Sequence, residues 1–245
     1  MNTKIKTLLA GLALTAVAAV HAGPFDGASM PPAEMLRIGI MNHNLEKVKT
    51  AIELGADPNK YMAPNGDTAL TLAYRVDAPK IVKYLLDNPR VSVTLENRNG
   101  ESPLMLAAFK GSMADVDELV RRGASPVKDV GWTPLHYAAT VGNVEMMDKL
   151  VKLGANVNAQ TDAGVTPLMM AARMPSQKAV VYLLRHGAYR DVCTFRGQSP
   201  ADYAEKAGDI KLAEYLKIER CAVKGFINPD ARKAVQPVTV VPGGR

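Results

Sequence analysis

The sequence predicts an all-α solenoid of about six helix-turn-helix units joined by β-turn finger loops. Two observations in its 245 residues favour this fold class. A short motif recurs every 31 to 34 residues, and a Gly-Ala pair follows three of its copies by about twenty residues. Aromatic residues make up only 5% of the chain, which is few for a β-sandwich or β-barrel. The two cysteines exclude a disulfide-dense scaffold and a four-cysteine zinc site.

The recurring motif starts with Ser or Thr and runs into small and apolar residues. Its clearest copy, T-P-L-H-Y-A-A, covers residues 133–139. The other copies start at Thr68, Ser102, Thr166 and Ser199, and Gly-Ala pairs stand at 55–56, 123–124, 154–155 and 187–188. The pair at 55–56 implies one further unit that starts near Glu34, so the sequence predicts six units.

The chemistry of one unit explains why it needs its neighbours. Thr133 suits the N-cap of a first helix, and Pro134 suits its first turn because proline lacks the N–H that is unsatisfied there. Apolar residues recur at helical spacing in this helix and in a second helix predicted over 144–153, which Gly154 ends. Neither helix can bury its apolar face alone, whereas stacked copies bury a continuous core.

On these motifs the chain resembles the ankyrin-repeat family, whose pattern is a T-P-L-H-x-A helix, a second helix, G-A-D-V-N and a β-turn over 33 residues. The resemblance covers roughly residues 32–220. It implies a repeat domain over 32–222, with units near 32–63, 64–97, 98–129, 130–162, 163–195 and 196–222. The departures are local: Asn88-Pro89 replaces Gly-Ala in the second unit, and Pro175-Ser176 stands where the family has Gly-His in the fifth.

Both ends of the chain differ from the repeats. Lys4 and Lys6 precede an uncharged run over 7–20 and small residues up to Ala22, a pattern typical of a secretory signal peptide over 1–22 that is cleaved after Ala22. The run is too short for a permanent membrane anchor, so we expect an exported bacterial protein, located in the periplasm of a Gram-negative cell. Residues 23–31 form a lead-in, and Pro and Gly residues predict a flexible tail over 223–245, with a candidate short strand at 238–241.

The sequence lacks the common motifs for catalysis and cofactor binding. No H-E-x-x-H, C-x-x-C, G-x-S-x-G, P-loop or G-x-G-x-x-G occurs. We therefore expect a non-enzymatic protein without a metal or cofactor. His136 belongs to the T-P-L-H motif and is expected to form hydrogen bonds within the repeat. No run of five Lys or Arg occurs and the net charge is +6, so nucleic acid is not an expected partner.

The two cysteines flank the predicted last helix pair. In repeat register, Cys193 precedes the first helix of that pair and Cys221 follows its second helix. Both therefore stand at the same end of an antiparallel helix pair, and an exported compartment permits oxidation. The sequence leaves two alternatives open, a disulfide between Cys193 and Cys221 and two free thiols.

The resemblance implies that a partner binds the concave side of the solenoid, which fingertips and exposed first-helix positions form. The candidate partner-binding residues in this register are Arg75, Val76, Phe109, Lys110, Trp132, Val141, Val165, Arg173, Met174, Phe195 and Arg196. Aromatic residues, Met and Arg are enriched at protein interfaces. The alternative is that Trp132 and Phe109 fold back onto neighbouring repeats.

These observations predict an exported module, monomeric when free, that binds one protein partner. Two other functions are compatible with the same surface: an inhibitor or immunity-type protein that neutralises a toxic enzyme, and a support protein for a periplasmic oxidative-stress enzyme. An enzyme is the least favoured class because no catalytic constellation is found.

Overall fold

The computed structural model describes residues 30–128, 130–174 and 177–221, and the backbone of residues 223 and 224. The described residues from Pro31 onward belong to one compact unit. The predicted leader over 1–22 lies outside the described residues, as do nearly all of the lead-in, residues 175 and 176, and the tail beyond 224 with its candidate strand.

Twelve helices and two short strands make up the described part of the chain. The helices are α1 (Pro32–Met41), α2 (Leu45–Glu53), α3 (Ala69–Arg75), α4 (Pro79–Asp87), α5 (Pro103–Lys110), α6 (Met113–Arg121), α7 (Pro134–Thr140), α8 (Val144–Lys152), α9 (Pro167–Arg173), α10 (Gln177–Arg185), α11 (Pro200–Lys206) and α12 (Ile210–Leu216). The strands are β1 (Val192–Cys193) and β2 (Val223–Lys224).

The helices form six successive pairs, and each pair packs on the next. The first helices α1, α3, α5, α7, α9 and α11 contact one another in that order, and among the second helices α2 contacts α4, α4 contacts α6 and α8 contacts α10. The all-α solenoid of six helix pairs is therefore confirmed, including the first unit, which lacks the Thr-Pro motif.

Local chemistry sets where the first helices begin. The side chains of Thr68, Ser102, Thr133, Thr166 and Ser199 each accept a hydrogen bond from the backbone N–H three residues on. Four of these helices, α5, α7, α9 and α11, then start with proline. A side-chain cap of this kind contributes about 1 kcal/mol to helix stability.

The core is a continuous apolar layer between the two rows of helices. Small residues let the first helices approach closely, and the Ala-Ala pairs of α5, α7 and α9 are fully buried. Larger residues fill the space between first and second helices, among them Leu135, Met146, Met147 and Leu150, which are also fully buried. One unit alone would leave this layer exposed to water, so stability depends on stacking.

Asparagine side chains join neighbouring units beyond the second helices. The Asn158 amide donates to the Gly187 carbonyl at 2.9 Å, and its oxygen accepts from the Tyr189 N–H at 2.9 Å. Asn59 makes the matching pair of bonds with Arg90 and Ser92. Asn59 and Asn158 are the last residues of two G-A-x-x-N segments, at 55–59 and 154–158. Their side chains pair with backbone groups that the loops would otherwise leave without a partner.

The finger loops stack on one another through backbone contacts. The Phe195 N–H donates to the Ala163 carbonyl at 3.1 Å, next to Gly164, which has φ 77°. A Cβ at Gly164 would lie 3.2 Å from the Cα of Thr194. Glycine is required there because of both its dihedral angle and the close approach of the next finger.

The last unit is closed by a covalent bond and by strand pairing. Of the two alternatives for the cysteines, the structure has the disulfide, with the Cα atoms of Cys193 and Cys221 5.7 Å apart. β1 pairs in parallel with β2, with Val192 opposite Val223. The segment that the sequence assigns to the tail from residue 223 thus begins with two paired strand residues.

Among the residues that the structure describes, no helix is long and apolar enough to cross a bilayer.

Candidate functional site

The predicted binding residues lie where the first helices end and in the fingers that precede them. We call this the first-helix surface and define it by the last turns of α3, α5, α7, α9 and α11 and by the fingers before them. Large apolar side chains are exposed on it: Trp132 is 36% exposed, Phe109 42% and Phe195 52%, and Val141 and Met174 are exposed to a similar degree.

Three aromatic rings form a cluster at the middle of this surface, which we call the aromatic cluster: Phe109, Trp132 and Tyr137. The ring of Tyr137 lies edge-on between the other two, with centroids 6.3 Å from Phe109 and 6.1 Å from Trp132. Trp132 also meets the His136 ring edge-on at 5.5 Å. Trp132 therefore packs within its own unit and still keeps an exposed face.

Tyr137 belongs to this surface, although it is not among the predicted binding residues. It occupies the variable position of T-P-L-H-x-A, where the second, third and fifth units have the buried apolar residues Leu72, Leu106 and Met170 and the sixth has Tyr203. A tyrosine at this position is a sequence signal, because a half-buried tyrosine hydroxyl needs a hydrogen-bond partner.

That partner is Glu101, which belongs to a polar network across three units. The Tyr137 hydroxyl donates to Glu101 Oε1 at 2.8 Å, and Arg75 Nη2 donates to Glu101 Oε2 at 2.6 Å. Arg75 also donates from Nε to Asp67 Oδ2 at 2.6 Å, and Asn97 donates to both carboxylates at 2.9 and 2.8 Å. The Arg75 guanidinium is thus held between two carboxylates of its own chain.

Hydrogen bonds keep both carboxylates of the network ionised. Burial raises the pKa of Asp67, but the hydrogen bonds from Arg75, Asn97 and Asn65 outweigh burial and hold it below its ordinary value. The pKa of Glu101 is lowered in the same way, by Asn97, Arg75 and Tyr137. Burial raises the pKa of the Tyr137 hydroxyl, which therefore remains a donor. The network holds the aromatic cluster in place from one side.

His136 has the structural role that its motif predicts. It is fully buried, and its Nδ1 lies 3.2 Å from the Thr133 N–H and 2.8 Å from the Thr133 hydroxyl. Because Nδ1 accepts from the Thr133 N–H, Nε2 carries the proton and donates to the Val165 carbonyl at 3.0 Å. Burial lowers the pKa of His136 to about 4, so the ring is neutral. Both nitrogens are engaged within the protein, which leaves neither for substrate.

Three of the predicted binding residues are more buried, or more fully paired, than the prediction implies. Val165 was expected on the surface, and this is wrong: it is only 9% exposed. Its carbonyl accepts from the Thr161 N–H in the finger before α9 and from His136 Nε2. Val76 is half-buried and packs against the core. The Lys110 ammonium lies 3.0 Å from Asp77 Oδ1, so its charge is partly neutralised.

An open cavity of about 400 Å³ lies at the outer end of the last unit, between α11 and α12. Its lining includes Ile210, Ala213 and Ile218, and the Ser199 hydroxyl beside it caps α11. No group of three or more His, Cys, Asp and Glu side chains suited to a metal ion occurs within the described ranges. The aromatic cluster therefore remains the candidate site.

Comparison with known proteins agrees with the fold. A family model described as ankyrin repeats (3 copies) matches residues 36–130, 91–161 and 116–196. Among similar proteins, human SH3 and multiple ankyrin repeat domains protein 2 is 26% identical over 73% of this chain and 12% of its own length. Protein glp-1 of Caenorhabditis elegans is 27% identical over 74% of this chain and 15% of its own length.

A third relative, human neurogenic locus notch homolog protein 1, is 32% identical over 51% of this chain and 5% of its own length. The chain thus corresponds to less than a sixth of each of these proteins. The family model matches ankyrin repeats, which are protein–protein interaction modules, typically non-enzymatic. With a family match across residues 36–196 and six stacked helix pairs, this chain belongs to the ankyrin-repeat family.

Proposed function

We propose that this chain is a non-enzymatic interaction module that holds one protein partner on its first-helix surface, with the aromatic cluster as the main anchor. The observation that carries the proposal is the exposure of Trp132 and Phe109 around the half-buried Tyr137. Exposed aromatic rings that touch one another form an apolar surface that a partner can contact. Trp is among the residues most enriched at interface hot spots.

Rigidity favours binding at this cluster. The Tyr137 hydroxyl is held by Glu101, which Arg75 and Asn97 hold in turn, and the Trp132 ring packs edge-on against His136 and Tyr137. A surface that is ordered before the partner arrives loses little side-chain entropy when it binds. The free chain is proposed to be a monomer, which light scattering coupled to size exclusion would measure.

Trp132→Ala tests the proposed anchor. The partner is captured with the wild-type protein, identified, and its affinity for each variant is measured by calorimetry. We expect Trp132→Ala to weaken binding at least tenfold, about 1.4 kcal/mol, because the exposed ring is lost from the contact.

Tyr215→Ala is the matched control, since Tyr215 is an exposed aromatic residue on a second helix. It should leave the affinity unchanged. Equal affinities for Trp132→Ala and wild type, with both proteins folded, would contradict the proposal. The class of the captured partner, a toxic enzyme or an oxidative-stress enzyme, would distinguish an inhibitor from a support protein.

Export to the periplasm forms the second part of the proposal. It is supported by the leader pattern over 1–22 and by the Cys193–Cys221 disulfide, since disulfides persist in oxidising compartments. We expect protein from the exported fraction to begin at Gly23 by N-terminal sequencing. Leu9→Arg with Leu12→Arg should keep the uncut chain in the cytoplasm, because charges interrupt the apolar run.

The control for export also introduces two arginines, but near the C-terminus: Val238→Arg with Val240→Arg. This variant should be exported normally. Wild-type protein that stays in the cytoplasm with Met1 retained would reject the proposal of export.

A further inference from the structure

Positive charge is distributed unevenly along the first-helix surface. The last residue of a first helix is a cation in four units: Arg75 in the second, Lys110 in the third, Arg173 in the fifth and Lys206 in the sixth. Lys110 is paired with Asp77. Arg75 lies within 2.6 Å of both Asp67 and Glu101, so its charge is balanced. Arg173, Lys206 and the fingertip residue Arg196 are exposed, and no ion pair joins any of them to a residue that the structure describes.

Packing places these cations on neighbouring parts of one surface. α9 and α11 pack against each other, so their equivalent last residues are separated by one helix spacing, about 9 Å. The charge of Arg173 acts on Tyr203 of α11, whose pKa burial raises and Arg173 lowers. Phe195, the neighbour of Arg196, stacks its finger on the previous finger through the Ala163 carbonyl.

Exposed cations outnumber exposed carboxylates on this part of the surface. Asp202 is held by α11 itself, where its Oδ2 accepts from the Ser199 N–H at 2.6 Å and from the Ser199 hydroxyl at 2.7 Å. Asp162 and Glu205 are exposed, so two exposed carboxylates stand against three exposed cations. The side chains of Met174, next to Arg173, and Phe195, next to Arg196, add exposed apolar area.

We propose that the fifth and sixth units form the acidic-segment site of this protein: they bind a stretch of the partner that carries several Asp or Glu side chains, next to the apolar anchor at Trp132. This inference rests on the proposed function and adds the chemistry of the partner to it. Arg173, Arg196 and Lys206 supply donors for carboxylates, and guanidinium groups can bind a carboxylate through two hydrogen bonds. Complementary charge at the rim of an interface speeds association and selects among partners.

A peptide library tests this inference without knowledge of the natural partner. Random peptides of about a dozen residues, displayed on phage, are selected on the folded protein at low salt, where exposed charges act most strongly. We expect the selected peptides to contain more acidic than basic residues. The affinity of one selected peptide is then measured by the fluorescence of Trp132, the only tryptophan in the chain.

Charge reversal identifies the residues responsible. Arg173→Glu with Arg196→Glu should lower the affinity for that peptide by about tenfold. The same variant should show no acidic preference in a new selection. Lys178→Glu with Lys211→Glu is the matched control, since both lysines are exposed on the second helices of the same two units. This control should keep the affinity and the preference.

The outcomes separate this inference from the proposed function. Selected peptides without an acidic excess, or equal losses in the two double variants, would overturn the acidic-segment site. The anchor at Trp132 is tested separately, by the affinity of the natural partner for Trp132→Ala. An acidic excess that depends on Arg173 and Arg196 supports the inference.

Discussion

Loss of the Cys193–Cys221 disulfide is expected to destabilise the protein by about 3.5 kcal/mol, and mainly in its last unit. The bond closes a span of 28 residues that contains α11 and α12. A cross-link over a loop of this length removes about that much conformational entropy from the unfolded chain. Few residues of the sixth unit are fully buried, Ala204 and Leu216 among them, so the unit has little core of its own to compensate.

The measurement is denaturant unfolding of Cys193→Ala with Cys221→Ala, together with amide exchange. Exchange should accelerate in α11 and α12 and stay slow in α3 to α8, because units of a solenoid contact only their neighbours. Reduced wild-type protein is the control that keeps both sulfur atoms, since Cys193 is fully buried and its truncation also removes packing. A double variant and a reduced protein that both unfold at the wild-type midpoint would contradict this prediction.

Acidification from pH 7 to pH 5 is expected to reduce the free energy of unfolding by about 2 kcal/mol through His136 alone. Burial lowers the pKa of this ring to about 4, from 6.5 in the unfolded chain. Between these two values the unfolded chain binds more protons than the folded one, so the stabilising contribution is complete above pH 6.5 and is lost as the pH falls toward 4. A protonated ring would also lose the Thr133 N–H, which donates to Nδ1.

His136→Gln removes the titrating group and should flatten the stability curve between pH 7 and pH 5, at the cost of lower stability at pH 7. His186→Gln is the control because His186 is exposed, and it should keep the wild-type slope. Denaturant titrations at several pH values give the slopes. A His136→Gln variant that retains the full wild-type slope would show that another group is responsible.

Much of the fold follows from interactions within a few residues, which is why the sequence predicts it. Thr133 caps the N–H of His136 three positions on, and Pro134 needs no partner for its missing N–H. The second helix of this unit was predicted over 144–153 and is observed as Val144–Lys152. The side-chain cap recurs in five first helices and the proline in four of them, so an error in one unit is corrected by its neighbours.

The candidate site follows from the sequence less completely. Register assigned Trp132, Phe109 and Phe195 to the surface, where the structure has them exposed. It also assigned Val165 to the surface, although Val165 is buried, and it omitted Tyr137. Register identifies equivalent backbone positions, but the side chains of the next unit and finger determine whether a position is covered.

Four equivalent positions make this distinction clear. Asp67, Glu101, Trp132 and Val165 each precede the N-cap of a first helix. Asp67 is buried in the polar network, Glu101 is mostly covered within it, Trp132 is exposed, and Val165 is enclosed by its finger. The sequence by itself determined the repeat, the helix ends and the apolar faces, because these depend on neighbours along the chain. Only the tertiary structure decided which side chains remain exposed and which charges remain unpaired, since both depend on residues about thirty positions away, brought together by stacking.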